Sequence, residues 1–191
     1  MGDLGHRQDA HNLGSIAVSS DGTLHIVGCG HENTTRSTKV TTYDPCHYWR
    51  STNPEDTSSW ELVQTMFEDN SFTYPVLEID SRDNLHLIMR NKKKTPKTHM
   101  RLEYRGALRS GDDWQSFIPT KVLARGGYSY GEFYNRFALD NNDNLYVYLH
   151  FLNMWVTPYY YPQGGGGVVI TSNTQGNHWN FADFTYDSSR D

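Results

Sequence analysis

The sequence predicts an all-β chain built from four-stranded antiparallel blades of a β-propeller, and three observations lead there. A pattern of apolar alternation, an Asp/Asn/Gly turn and a closing leucine occurs three times: Ser15 to Leu24 (SIAVSSDGTL), Val76 to Leu85 (VLEIDSRDNL) and Arg136 to Leu145 (RFALDNNDNL). The leucines Leu24, Leu85 and Leu145 lie 61 and 60 residues apart, a period that suits one blade. Alternating segments follow each leucine with strand spacing and no helical spacing. Each repeat then carries a polar turn that ends in a tryptophan.

The first repeat runs through His11 to His31 (HNLGSIAVSSDGTLHIVGCGH), where two short strands, SIAV and LHIVG, flank an Asp-Gly turn and a histidine stands at each end. In the second, Leu85, Leu87 and Met89 should face one way and His86, Ile88 and Arg90 the other. In the third, Leu145, Val147 and Leu149 should alternate with Tyr146, Tyr148 and His150. A variable loop is expected after each of these strands, then another strand with its own turn. Those turns read RSTNPEDTSSW (Arg50 to Trp60), RSGDDW (Arg109 to Trp114) and TSNTQGNHW (Thr171 to Trp179). Side-chain to backbone hydrogen bonds should close them, with the indole covering the hairpin. They resemble degenerate copies of the Asp-box hairpin of sialidase-like propellers, which speaks for architecture and is silent about chemistry.

The repeats are placed at roughly residues 11–62, 72–118 and 132–185 of a single partial domain spanning 1–191. Propellers close with roughly four to eight blades. Three repeats use up the chain, so it is expected to be part of a longer protein with the remaining blades missing.

Composition narrows the function. Hydrophobic residues make up 36% and aromatics 14%, with 13 tyrosines, a balance suited to short strands and sugar-facing surfaces. The formal charge of -5 argues against a nucleic-acid partner. No apolar run approaches the roughly 18 residues needed to span a bilayer, so no membrane role is expected. The opening Met1-Gly-Asp-Leu is not a signal peptide. The two cysteines, Cys29 and Cys46, both fall in the first repeat. They could pair, but spacing cannot show that their Cβ atoms meet, and unpaired structural thiols are the expectation.

The repeat also locates a candidate site. Eleven residues before each anchoring leucine stand Leu13, Tyr74 and Tyr134; five after stand Cys29, Arg90 and His150. If the blades are equivalent, Tyr74, Arg90, Tyr134 and His150 face a shared cleft, with His11 and His31 beside it. Taken singly, each has a structural reading, since tyrosines at strand starts are often core and a strand arginine often pairs with a nearby acid. Arriving together they point to a cleft. Lys92, in the run Asn91 to Lys97, could steer an anionic chain inward, or simply belong to a solvated loop. Trp155 with Tyr159, Tyr160 and Tyr161 could stack on sugar rings or pack a long loop. Gly164 to Gly167 lacks the helix start of a phosphate loop. Asp44, Glu55, Asp56, Asp112 and Asp113 lie in turns and form no glycosidase pair.

The run HN-x(3)-IAV-x(2)-DG-x-LHI-x(4)-H, then YWRS-x(2)-P, then TYP and a strand ending in arginine, resembles the BNR-repeat polysaccharide lyases and, within them, the ulvan lyases. The likeness covers roughly residues 11 to 150. The resemblance implies a seven-bladed propeller that is secreted or periplasmic and cleaves a uronic-acid-containing, sulfated polysaccharide by β-elimination. It further implies that His11, His31, Tyr74 and Arg90 are catalytic and that Tyr134 is a cleft residue; His150, by its repeat position, and Lys92, by its charge, are expected as further substrate contacts. Some members hold a structural divalent metal; no ligand set can be traced here, and Cys46, His47 and His150 are no more than candidates. The residue types suit the chemistry. A proton α to a carboxylate leaves only if the carboxylate charge is offset, which an arginine does bidentately. A histidine, or a tyrosine of lowered pKa, can take the C5 proton, and Tyr74 can protonate the C4 oxygen. Two alternatives remain: a sialidase-like glycoside hydrolase, and a carbohydrate-binding propeller without catalysis.

Overall fold

Three antiparallel blades make up the computed structural model, which describes residues 14–29, 33–35, 40–42, 45–66, 70–93, 100–117, 121–126, 134–156 and 159–183. The first blade holds β1 (Gly14–Val18) and β2 (Leu24–Cys29), a small hairpin of β3 (Asn33–Thr35) and β4 (Val40–Thr42), then β5 (Cys46–Ser51) and β6 (Trp60–Met66), in the order β1-β2-β5-β6. The second holds β7 (Asn70–Ile79), β8 (Leu85–Lys93), β9 (Met100–Ala107), a two-residue hairpin of β10 (Arg109–Ser110) and β11 (Asp113–Trp114), and β12 (Lys121–Gly126). The third holds β13 (Tyr134–Leu139), β14 (Leu145–Val156), β15 (Tyr159–Ser172) and β16 (Asn180–Asp183). The described residues include no helix, and so none long and apolar enough to cross a membrane. The three repeat leucines open β2, β8 and β14.

Alternation along these strands builds two inter-blade cores. Ala17, Val27, Cys29, Tyr48 and Met66 of the first blade meet Phe72, Leu77, Leu85, Leu87 and Met89 of the second. On the other side of the second sheet, Ile88, Leu102, Tyr104 and Leu123 meet Phe137, Leu145, Val147, Leu149 and Ile170. The middle blade is therefore buried on both faces and the outer two on one. Leu24 is only half-buried, unlike Leu85 and Leu145, because it lies on the outward face of the first blade with the exposed Ile16 and Val18. Tyr146 and Tyr148 are exposed on the opposite outward face, that of the third.

Turns latch neighbouring blades. Asp83 takes hydrogen bonds from the Ser20 amide (2.7 Å) and hydroxyl (2.5 Å); Asp143 takes the same pair from Ser81 (2.9 and 2.5 Å). Both aspartates have φ near +60°, which aims their carboxylates back at the preceding blade; the first blade has Gly22 at the equivalent place. Arg109 adds a bridge, pairing with Asp83 and with Asp21 of the first blade (2.9 Å). Each closing indole donates to a turn carbonyl: Trp60 to Thr57, Trp114 to Asp83 and Trp179 to Gly176. Gly176 (φ +79°) must be glycine, since a Cβ there would overlap the Tyr104 ring.

Two expectations need correction. Cys29 and Cys46 are joined in a disulfide. They are register partners on β2 and β5, which puts their Cβ atoms side by side, a relation that sequence spacing alone could not reveal. Nor does a loop follow the third repeat's inner strand. β14 and β15 run on as a long hairpin in which Trp155 pairs with Tyr160 and Gly165 to Gly167 pair with Leu152, Phe151 and His150. The far end of β14 also pairs with β12, joining the second and third blades into one sheet. A Cβ on Gly167 would stand 2.7 Å from the Tyr148 hydroxyl, so the glycine leaves room for that ring.

Candidate functional site

β7 pairs with β8 from Asn70 to Thr73 and again from Val76, with a bulge between. Thr73 is thereby set opposite Arg90, and Tyr74 is thrown out of the ladder at φ +53°. Pro75 follows it and can donate no ladder bond. A tyrosine in the left-handed region costs about 1–3 kcal/mol, which the surrounding pairing must offset. Bulges re-aim side chains, and this one brings the Tyr74 ring under the Arg90 guanidinium, with Cζ 4.4 Å from the ring centroid. Arg90 is only 3% exposed, and its Nε donates to Thr73 Oγ1 at 2.8 Å. That bond holds the guanidinium at Nε and does not use the two terminal nitrogens.

The other candidate residues are placed as follows. His11 and His31 lie outside the described residues, as do the side chains of Tyr134 and Lys92. The Tyr134 backbone stands opposite His150, the register place that Thr73 holds opposite Arg90. Lys92 continues β8, between Ser71 and Met100, where a loop start was expected. Its neighbour Asn91 is buried and donates to Glu103 at 2.8 Å. The structure thus brings Tyr74 and Arg90 together, and does not bring His150 to them. Arg90 shares a face with Ile88, turned to the third blade, whereas His150 faces away from the second. A depression of about 320 Å³ is lined by His150, Tyr148, Arg136 and Asn135, the last a buried residue on the other face of the strand.

The metal candidates do not fit a donor set. Cys46 is consumed by its disulfide, His47 sits against Thr65 and Trp49, and His150 is two blades away. Among the described residues no three His, Cys, Asp or Glu side chains are grouped to hold an ion.

Two buried chains escaped sequence reasoning. Asp80 Oδ2, His86 and the Tyr104 hydroxyl are linked in series, at 3.3 Å to His86 Nε2 and 2.8 Å from Nδ1. Ser19, His25 and Tyr48 repeat the arrangement in the first blade, at 3.2 and 2.8 Å. An acid, a histidine and a tyrosine in a row resemble a catalytic relay, but all are buried, the motif recurs, and it lies at the turn end of the blades, away from Arg90. Its effects are electrostatic. Burial and the nearby Arg50 charge push the His25 pKa down to about 4, and burial pushes both tyrosines up. Burial alone would raise Asp80, yet hydrogen bonds from His86 and Asn84 hold it at about 2. Pairing across strands, not any local motif, makes these chains.

Residues 3–155 match the profile of a family described as "BNR repeat-containing family member". No curated protein matches the sequence. Among solved structures, the fold is similar to a polysaccharide lyase titled PL25-Ulvanlyase, at 16% identity and a TM-score of 0.57, over 93% of this chain and 42% of that one. The same values hold for that enzyme bound to -[GlcA(1-4)Rha3S]-. It is also similar to the polysaccharide lyase Uly1, at 18% identity and a TM-score of 0.53, over 88% of this chain and 42% of that one. The chain thus spans less than half the length of the enzymes whose fold it shares.

Proposed function

The chain belongs to the BNR repeat-containing family, and from that premise we propose that it is part of a polysaccharide lyase. The substrate is a uronic-acid-containing polysaccharide, sulfated and ulvan-like, and the reaction is β-elimination. One observation carries the reading: a buried arginine is held at Nε by Thr73 and seated on the bulged Tyr74, which leaves its terminal nitrogens out of that bond.

Such a fork pairs with a uronate carboxylate and offsets the charge that builds up as the C5 proton leaves. Preorganised donors of this type are worth about 3–4 kcal/mol each. His11 or His31 takes the C5 proton and Tyr74 gives one to the departing C4 oxygen; the histidine and tyrosine roles can also be exchanged. Tyr134 positions the sugar ring and Lys92 contacts the anionic chain further out, while His150, on the outward face of the third blade, stands apart from this cleft. The exposed outward faces of the first and third blades are covered by further blades of a longer, seven-bladed protein. The disulfide supports a secreted or periplasmic location, because such bonds persist in oxidising compartments.

The test is incubation with ulvan while ultraviolet absorbance is followed. Elimination leaves an unsaturated uronate, so absorbance and new reducing ends should rise together. New reducing ends without absorbance would make the protein a hydrolase, and binding without either would make it a carbohydrate-binding propeller.

A further inference from the structure

Asn135 has a feature that the repeat does not explain. It is 3% exposed, and its Nδ2 has no hydrogen-bond partner among the described residues. A buried amide without a partner is costly and rare, and marks a group kept for something other than packing.

Its position gives the reason. Asn135 stands opposite Leu149 and shares the inward face of β13 with Phe137, which packs in the same core as Ile88. Arg90 lies one alternation step beyond Ile88, toward the end of β8; Asn135 lies one step before Phe137, toward the start of β13. In antiparallel blades these are the same end, so both residues stand on the facing walls of the second and third blades, and Asn135 also borders the depression lined by Arg136, Tyr148 and His150. One wall supplies the guanidinium fork and the other an idle N–H₂ group. Both are donors, and a planar anion between them has lone pairs for all. The Arg136 guanidinium, on the next residue, is turned to the Asn135 carbonyl (3.2 Å) and does not occupy this space.

We propose that Asn135 is a substrate-binding residue whose amide donates to the carboxylate that Arg90 pairs with. This rests on the lyase reading and extends it: the uronate is held from two blades, and binding draws the second and third together. Asn135 moves no proton. It sets affinity and the orientation of the carboxylate plane.

The experiment uses the whole chain and D-glucuronate as probe, with its methyl ester as the uncharged control. Side-chain amide NMR signals are followed during titration, the Asn135 signal being the one absent from Asn135→Leu. The Asn135 amide should shift with glucuronate and stay still with the ester. Asn135→Leu should bind glucuronate roughly ten- to a hundredfold more weakly, the loss of one hydrogen bond to a charged group. It should also melt at the same or a higher temperature, because it removes an unpaired buried amide. If Asn135→Leu melts lower and keeps its affinity, Asn135 is structural and the proposal is overturned. If Arg90→Lys weakens binding and Asn135→Leu does not, the uronate site stands without Asn135. If the unmodified chain does not bind glucuronate, the lyase reading falls and this inference with it.

Discussion

The Arg90 guanidinium lies 4.4 Å above the Tyr74 ring, and the two residues reach each other only because the strand between Thr73 and Val76 is bulged. The pair therefore separates two effects that usually mix. Tyr74→Phe keeps the ring under Arg90 and deletes only the hydroxyl. It should lower kcat by about 10²- to 10⁴-fold, as loss of a general acid does, and leave KM nearly unchanged. Arg90→Lys should lose at least about a hundredfold in kcat/KM, because an ammonium can replace neither the fork nor the bond to Thr73. Both are read from the formation of unsaturated product in the active protein. Near-normal rates for Tyr74→Phe would remove this tyrosine from the chemistry.

The blade latch should be measurable as a coupling. Ser81 and Asp143 meet through two hydrogen bonds, 62 residues apart in sequence. In a double-mutant cycle of Ser81→Ala and Asp143→Ala, the two changes should be non-additive by about 1 kcal/mol or more in urea unfolding. Additive losses would mean that the turns only lie side by side.

Removing the disulfide should cost stability. It closes a loop with a sequence separation of 17, for which about 3 kcal/mol is expected from restriction of the unfolded chain. Both cysteines are fully buried, so reductant should act only as the chain unfolds. The check is the melting temperature with and without reductant, beside Cys29→Ala/Cys46→Ala.

Acid should destabilise the fold in two successive windows. His25 has a pKa of about 4 when folded against 6.5 ordinarily, so between those values the unfolded chain binds a proton that the folded chain refuses. Stability therefore falls as pH drops from 6.5 toward 4, by about 3 kcal/mol in all. Asp80, about 2 against 3.8, adds a second loss from pH 3.8 downward as its unfolded carboxylate protonates first. Melting temperatures across this range should show both limbs, and His25→Gln should flatten the upper one.

The architecture was legible in the sequence because strand periodicity and turn chemistry are local. The leucines at 24, 85 and 145 open three equivalent strands, and the closing tryptophans cap three turns, just where residue types require it. What was hidden depends on pairing between strands. Cys29 meets Cys46 only through the register of β2 with β5. Counting residues from the leucine picks out Tyr74 and Arg90 but cannot show that the register partner of Arg90 is Thr73, or that a bulge moves Tyr74 beneath the arginine. His25 and His86 read as polar residues on alternating strands, and their tyrosine partners come from the neighbouring strand of the sheet, β5 and β9. Asn135 looks like any other asparagine until its burial and its idle amide are seen together.

The latch between turns gives the blades a direction. The serine-binding carboxylates reach back, Asp83 to Ser20 and Asp143 to Ser81. The turn of the first blade offers Gly22 in that role, with no acid to extend, while the third offers Asn141 where the others offer serine. Two copies of this chain placed end to end would meet with an amide facing a glycine, and the bond that holds neighbours inside each copy could not form between them. At that edge the latch would form only with a neighbour whose turn brings its own acid.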